Sequence, residues 1–157
     1  MLSIACKNAI RSVLYLALKS NGENKVGAKS IANALDIPQP FLSKLLQQLA
    51  KNNLVSSTKG PNGGFYLSEK NKENTIWDII ISIDGGNKFD ECFLGLSVCD
   101  DKNPCPVHAI VAPFKVYITE NFRGKTILEY SNEIKKTGKL ISLKDFNPLG
   151  DKINKSS

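Results

Sequence analysis

Behind Ser3, apolar residues Ile4, Ile10, Val13, Leu14, Ala17 and Leu18 recur at helical intervals, which predicts an amphipathic helix capped at Ser3 and ending near Lys19. Asn21 and Gly22 suit a left-handed turn after it. A second, short helix is expected over 28–35, with Ile31, Ala32 and Leu35 inward, and "DIPQP" ends it within a turn. Proline is tolerated in a first helical turn, so a third helix begins near Pro38 to Pro40 and runs to about Asn52. Phe41, Leu42, Leu45, Leu46 and Leu49 make its buried stripe and leave Gln39, Ser43, Lys44, Gln47, Gln48 and Lys51 on the open side.

Two helices, a tight turn and a polar-faced second helix are a helix-turn-helix pattern. The period then changes: "LVSS" (54–57) and "FYLS" (65–68) read as strands, and "TKGPNGG" between them as a glycine-rich hairpin tip, a wing. "NTIWDIIISIDGG" (74–86) predicts a helix capped at Asn74 or Thr75 and ended by Gly85 and Gly86, with Trp77, Ile80, Ile81 and Ile83 toward the core or an interface. Over 104–122, Val107, Ile110, Val111, Phe114, Tyr117 and Ile118 form a further helical stripe, kinked or divided at Pro113. A stripe lying outside the winged domain needs a partner, and a second copy of the chain is the economical one. A last helix starts at Thr126. The expected organisation is therefore a winged helix-turn-helix domain (1–72), a connecting helix (73–89), a cysteine-rich loop (90–108), dimerisation helices (104–137) and a polar, frayed tail (138–157). The fold class is mainly α with a small β-hairpin wing and a long C-terminal dimerisation helix.

Charge sharpens the reading of the first half. The chain of 157 residues carries a net charge of +6. Residues 1–72 hold ten Lys and Arg against three acids, whereas 73–157 hold eleven against twelve, so all of the excess lies with the predicted winged helix. That asymmetry points to a polyanion. The open face of the third helix offers amide, hydroxyl and ammonium groups to base edges in the major groove, through Gln39, Ser43, Lys44 and Gln47. Lys29, Lys51 and Lys59 can neutralise phosphates, with Gly60, Asn62, Gly63 and Gly64 beside Lys59 in the wing tip. The expected partner is double-stranded DNA, bound by a dimer at a palindromic operator. The tip is not a phosphate-binding loop, since it joins two strands and lacks the GxxxxGK[ST] spacing, so no nucleotide is expected. An apolar fraction of 41% excludes a disordered chain. No segment reaches the roughly 18 to 20 apolar residues of a membrane span, and Lys7 and Arg11 break the N-terminal apolar run as an amphipathic helix does. A cytoplasmic protein without membrane contact is expected.

The remaining chemistry is concentrated in "CFLGLSVCDDKNPCPVH" (92–108), with three of the four cysteines and the only histidine. Asn103 and Pro104 suit the start of a helix, which would place Cys105 in its first turn, where the helix dipole favours a thiolate. His108, three residues later, would share that face. Cys92, Cys99, Cys105 and His108 thus make a candidate metal-binding set. None of the gaps matches the paired spacing usual for zinc, and iron-sulfur clusters accept longer loops. A cluster, a thiol redox switch, zinc and ordinary buried cysteines all remain open from the residues. A disulfide would leave one of the three thiols unpaired.

"SIANALDIPQPFLSKLLQQLAKNNLVSSTKGPNGGFYLS" followed by a three-cysteine loop ending "CPVH" resembles the Rrf-two family of bacterial transcription factors, in particular its iron-sulfur IscR and NsrR branches. The shared motifs are "IA" in the second helix, "FL.KLL..L" in the third, "LV.S.KG..GGF.L" in the wing, and the cysteine loop; together they cover about residues 1 to 135. The resemblance implies a homodimeric, non-enzymatic regulator, with repression the expected mode. Its operator affinity would be set by an iron-sulfur cluster sensing cluster supply, nitric oxide or redox stress. It places the cluster on Cys92, Cys99 and Cys105, with His108 as fourth ligand and Cys6, in the partner's first helix, as the rival. Ser43 and Lys44 stand where IscR-like chains carry Glu-Gln, and Lys59 stands where arginine is usual, so the operator is expected to differ. The alternatives are a same-family thiol switch without a cluster and a small catalytic redox protein using Cys99 and Cys105.

Overall fold

The computed structural model describes residues 1–139 and 141–142. In chain order the elements are α1 (Ile4–Lys19), α2 (Ala28–Leu35), α3 (Gln39–Lys51), β1 (Ser56–Thr58), β2 (Gly64–Tyr66), α4 (Glu69–Lys72), α5 (Ile76–Asp84), α6 (His108–Gly124) and α7 (Ile127–Thr137). The fold is mainly helical with one antiparallel hairpin, as the sequence predicts.

Local chemistry explains the boundaries. The Ser3 side chain accepts from the Cys6 amide and starts α1, while Thr75 and Thr126 start α5 and α7 with reciprocal capping boxes to Asp78 and Glu129. α1 stops at Ser20, whose N–H and hydroxyl both donate to the Leu16 carbonyl, rather than through a left-handed turn at Asn21 and Gly22. Between α2 and α3, Asp36 takes the left-handed conformation at φ 54° and turns the chain.

The core lies where α1, α2, α3 and α5 meet, with Val13, Leu16, Ile31, Leu35, Leu42, Leu46, Leu49, Ile79 and Ile80 buried. Each such side chain contributes about 1.5 to 3 kcal/mol. α7 returns to α1 of the same chain and buries Ile127 in this core. An isolated bridge joins Thr75 to Thr126, and the Ile127 N–H donates to the Asn74 carbonyl at 2.8 Å.

Several details differ from the sequence reading, each for a packing reason. The strands pair Ser56 with Tyr66 and Thr58 with Gly64, and the flanking Leu54, Val55 and Leu67 leave the hairpin to fill the core. Phe41, Ile4 and Ile81 lie at the edges of their helices and stay exposed, whereas Ile76 and Ile79 are buried. Gln48 is exposed, as expected, and its side chain also bonds the Ser82 carbonyl of α5. α6 begins at His108, so Asn103 caps no helix and Cys105 precedes its first turn. α6 also continues through Pro113, which lacks the amide that would reach the Ala109 carbonyl. α4 is a single turn started by the Ser68 cap, in a stretch whose sequence carries no helical period. The predicted tail, 138–157, lies largely outside the described residues.

Candidate functional site

Two surfaces carry the chemistry. On α3, Lys44, Gln47 and Lys51 are exposed and spaced three and four apart, so they share one helical face; Gln39 is exposed at its start and Ser43 is half-buried. Lys29 is exposed in the first turn of α2. In the wing, Lys59, Gly60 and Asn62 are exposed at the tip. The glycines shape that tip. Gly60 has φ +100°, and the Gly63 N–H closes the turn on the Gly60 carbonyl at 2.9 Å. A Cβ on Gly63 would lie 2.3 Å from the Thr58 carbonyl oxygen, and one on Gly64 would lie 3.0 Å from the Val26 backbone, which pairs with Phe65.

The wing's root is held by Asn71, a residue with no obvious sequence signal beyond its place three after Ser68. Its Oδ1 accepts from the Ser56 hydroxyl at 2.6 Å and the Ser68 hydroxyl at 2.8 Å, and its Nδ2 donates to the Asn53 carbonyl at 2.8 Å. One nearly buried amide therefore ties hairpin, α4 and the end of α3 together. On the opposite flank of α3, the Gln48 Nε2 donates to the Ser82 carbonyl at 2.9 Å and the Asn52 Nδ2 to the Ser82 hydroxyl at 2.8 Å, fixing α3 to α5.

The cysteine loop leaves α5 through Phe89, a buried ring 5.8 Å from that of Trp77. The Arg123 guanidinium of α6 stacks 4.5 Å from the same indole. Loop, α5 and α6 are thus joined by one aromatic contact set, of which the hydrophobic pattern marks only Trp77.

Within the loop the soft donors lie near one another, Cys105 being a neighbour of Cys92. The Leu96 backbone amide, most of all, with that of Leu94, the Cys105 thiol and the Lys115 charge, holds the Cys92 thiol below its ordinary pKa of 9.0. The Cys99 Sγ lies 3.6 Å from the His108 Nδ1, and the His108 Nε2 lies 2.7 Å from an Asp101 carboxylate oxygen. Cavities of about 270 Å³ beside Cys92 and about 240 Å³ beside Cys99 and His108 flank these donors. Among the described residues no three His, Cys, Asp or Glu side chains converge as a metal-holding group. The chemistry of the donor set, three sulfurs and one imidazole within seventeen residues of chain, fits an iron-sulfur cluster. Cys6 is elsewhere: it is fully buried in α1, where burial above all, and Asp84 next, push its thiol up to about 12.

No helix among the described residues is long and apolar enough to cross a membrane. The family model of the Rrf2, or Rrf-two, family, described as iron-dependent transcriptional regulators, matches residues 2–132. A protein of Aquifex aeolicus, provisionally named an HTH-type transcriptional regulator, is 38% identical over 126 residues, spanning 79% of this chain and 86% of its own. The HTH-type transcriptional regulator IscR of Photorhabdus laumondii is 31% identical over 102 residues, 65% of this chain and 61% of its own. Among solved structures, CymR, the global cysteine regulator of B. subtilis, superimposes with a TM-score of 0.68 at 22% identity, over 85% of this chain and 97% of its own. These relatives are regulators and not enzymes, which removes the catalytic redox reading. The chain belongs to the Rrf2 family of DNA-binding transcriptional regulators.

Proposed function

We propose that this protein is a cytoplasmic homodimeric repressor whose affinity for a palindromic operator is set by an iron-sulfur cluster on Cys92, Cys99, Cys105 and His108. The carrying observation is the Cys99 sulfur beside the His108 ring, with Cys92 and Cys105 as neighbours in the loop that joins α5 to α6. The family's description as iron-dependent supports it, as does the IscR name of the relative above. When bound, the cluster supplies a redox-active centre whose oxidation or loss is the signal.

The chain's own residues do the rest. Lys44, Gln47 and Lys51 face the major groove, with Gln39 and Ser43 at the start of the same helix, while Lys59 and Lys29 meet phosphates; Gly60, Asn62, Gly63 and Gly64 keep the wing tip compact enough to approach the backbone. Ile110, Phe114 and Tyr117 lie exposed along one face of α6, which a second α6 would cover, placing two α3 helices on two half-sites. His108 is favoured as fourth ligand over Cys6, because the Cys6 thiol is buried and held protonated. One observation favours a second reading, a thiol switch: the Cys92 thiol, held low, has Cys105 as a neighbour, and a two-electron oxidant such as a peroxide could join the two sulfurs in a disulfide with loss of both thiol protons.

Anaerobic reconstitution with iron and sulfide tests this. A coloured protein that loses its visible absorbance in Cys99→Ala supports the cluster. A colourless protein whose Cys92 and Cys105 oxidise reversibly supports the switch.

A further inference from the structure

The loop contains an adjacent pair of carboxylates, Asp100 and Asp101, to which neither DNA binding nor the ligand set gives a role, and the two do different things. Asp100 folds the loop on itself: its Oδ1 accepts from the Lys102 N–H and its Oδ2 from the Asn103 Nδ2, both at 3.0 Å. That turn brings Asp101 back toward α6, where its carboxylate meets the His108 Nε2 at 2.7 Å. The imidazole is no free surface group, since its side chain is only 12% exposed. Its other nitrogen, Nδ1, lies 3.6 Å from the Cys99 sulfur. The ring is therefore held from both sides, with its two nitrogens in different surroundings.

A carboxylate is an acceptor only, so in the neutral ring the nitrogen it meets carries the proton and the other keeps its lone pair. The lone pair left available is that of Nδ1, the nitrogen already beside a cysteine sulfur. We propose that Asp101 is the positioning residue of this site: it holds the His108 imidazole as the Nε2–H tautomer, so that His108 ligates through Nδ1 on the side of Cys99. The inference rests on His108 being a cluster ligand. It goes further in naming which nitrogen binds and which residue decides it. Carboxylates in this position orient ligand imidazoles and strengthen their donation, and losing one weakens metal retention roughly 10- to 100-fold.

The histidine is the chain's only one, so its ring gives a single set of signals. The first arm uses metal-free, full-length, isotopically labelled protein at about pH 8.5, well above the range in which a free imidazole ionises. A slowly exchanging, downfield Nε2–H signal is expected, lost in Asp101→Ala and restored in Asp101→Glu. Absence of that signal in the unsubstituted protein, or its survival in Asp101→Ala, overturns the proposal without touching the cluster reading. The second arm uses cluster-loaded protein made with histidine carrying ¹⁵N at Nδ1 alone or at Nε2 alone. Strong hyperfine coupling from Nδ1, and cluster loss to a chelator roughly 10- to 100-fold faster in Asp101→Ala, are expected. Coupling from Nε2 overturns the proposal with the cluster reading intact. Coupling from neither nitrogen overturns it too, and there the fault lies in His108 as ligand; a protein that takes up no cluster sinks the wider reading.

Discussion

Cys6 and Cys92 carry the same thiol in opposite surroundings. The Cys6 side chain is fully buried and held protonated, with its pKa up to about 12, while that of Cys92 is held below its ordinary value by backbone amides. Native protein treated with iodoacetamide near neutral pH is therefore expected to be alkylated at Cys92 first and at Cys6 only after unfolding; peptide mass mapping reads the order. Raised pKa also has a consequence for stability. Cys6 favours the folded state while its thiol is neutral, and that contribution is lost as pH rises from the unfolded value near 9.0 toward 12. On the proposed DNA face, Lys59 and Gln47 separate by chemistry. Lys59→Ala should lower the log-log salt slope of binding by about 0.9 at every sequence. Gln47→Ala should relax discrimination at one base pair by about 1 to 3 kcal/mol, measured on a panel of operator variants.

At the scale of elements, the wing depends on a turn with no room for a side chain. Gly63→Ala would push a Cβ against the Thr58 carbonyl, a backbone atom that cannot swing away. A cost of about 1 to 3 kcal/mol is expected, confined to the hairpin, so DNA affinity should fall while helical circular dichroism is kept. α7 has its own charge device. Glu133 is ion-paired to Lys125 and Lys139, and those hydrogen bonds hold its carboxyl near 2 against an ordinary 4.5. A depressed folded pKa stabilises above the unfolded value and is lost as pH falls, here between about 4.5 and 2. Acid unfolding of α7 should shift less in Glu133→Gln than in the unsubstituted chain, and high salt should narrow the difference.

The helices were legible because period, caps and breakers agree: Ser3, Thr75, Thr126 and "DIPQP" mark boundaries that the structure keeps. The glycines of the wing announced a tight turn for the same reason. Elsewhere tertiary packing decided. Leu54, Val55 and Leu67 look like strand residues and are drawn into the core instead, which shortens the hairpin to its tip. "NPCP" has the composition of a helix start, but the Asn103 side chain bonds Asp100 and the helix waits until His108. Of the candidate site, the donors were readable from residue type alone, whereas Asn71, Phe89 and Asp101 act through contacts remote in sequence or across a loop, which periodicity does not encode.

For the whole molecule, the arrangement is a chain of contacts from the cysteine loop to α3. Phe89 carries the loop onto Trp77 of α5, and α5 holds α3 through Ser82, Gln48 and Asn52. α6 leaves Ile110, Phe114 and Tyr117 exposed, the face proposed above to meet a second copy. Phe114→Glu should therefore shift the protein from dimer to monomer in sedimentation and weaken binding to a paired operator more than to a single half-site. The most direct test of the account compares one operator duplex, titrated anaerobically at one salt concentration, with cluster-loaded protein, metal-free protein and Cys99→Ala. The account predicts that the metal-free protein and Cys99→Ala bind alike, and that both differ from the loaded protein by about 10-fold or more. Equal affinity of the loaded and metal-free forms would contradict it.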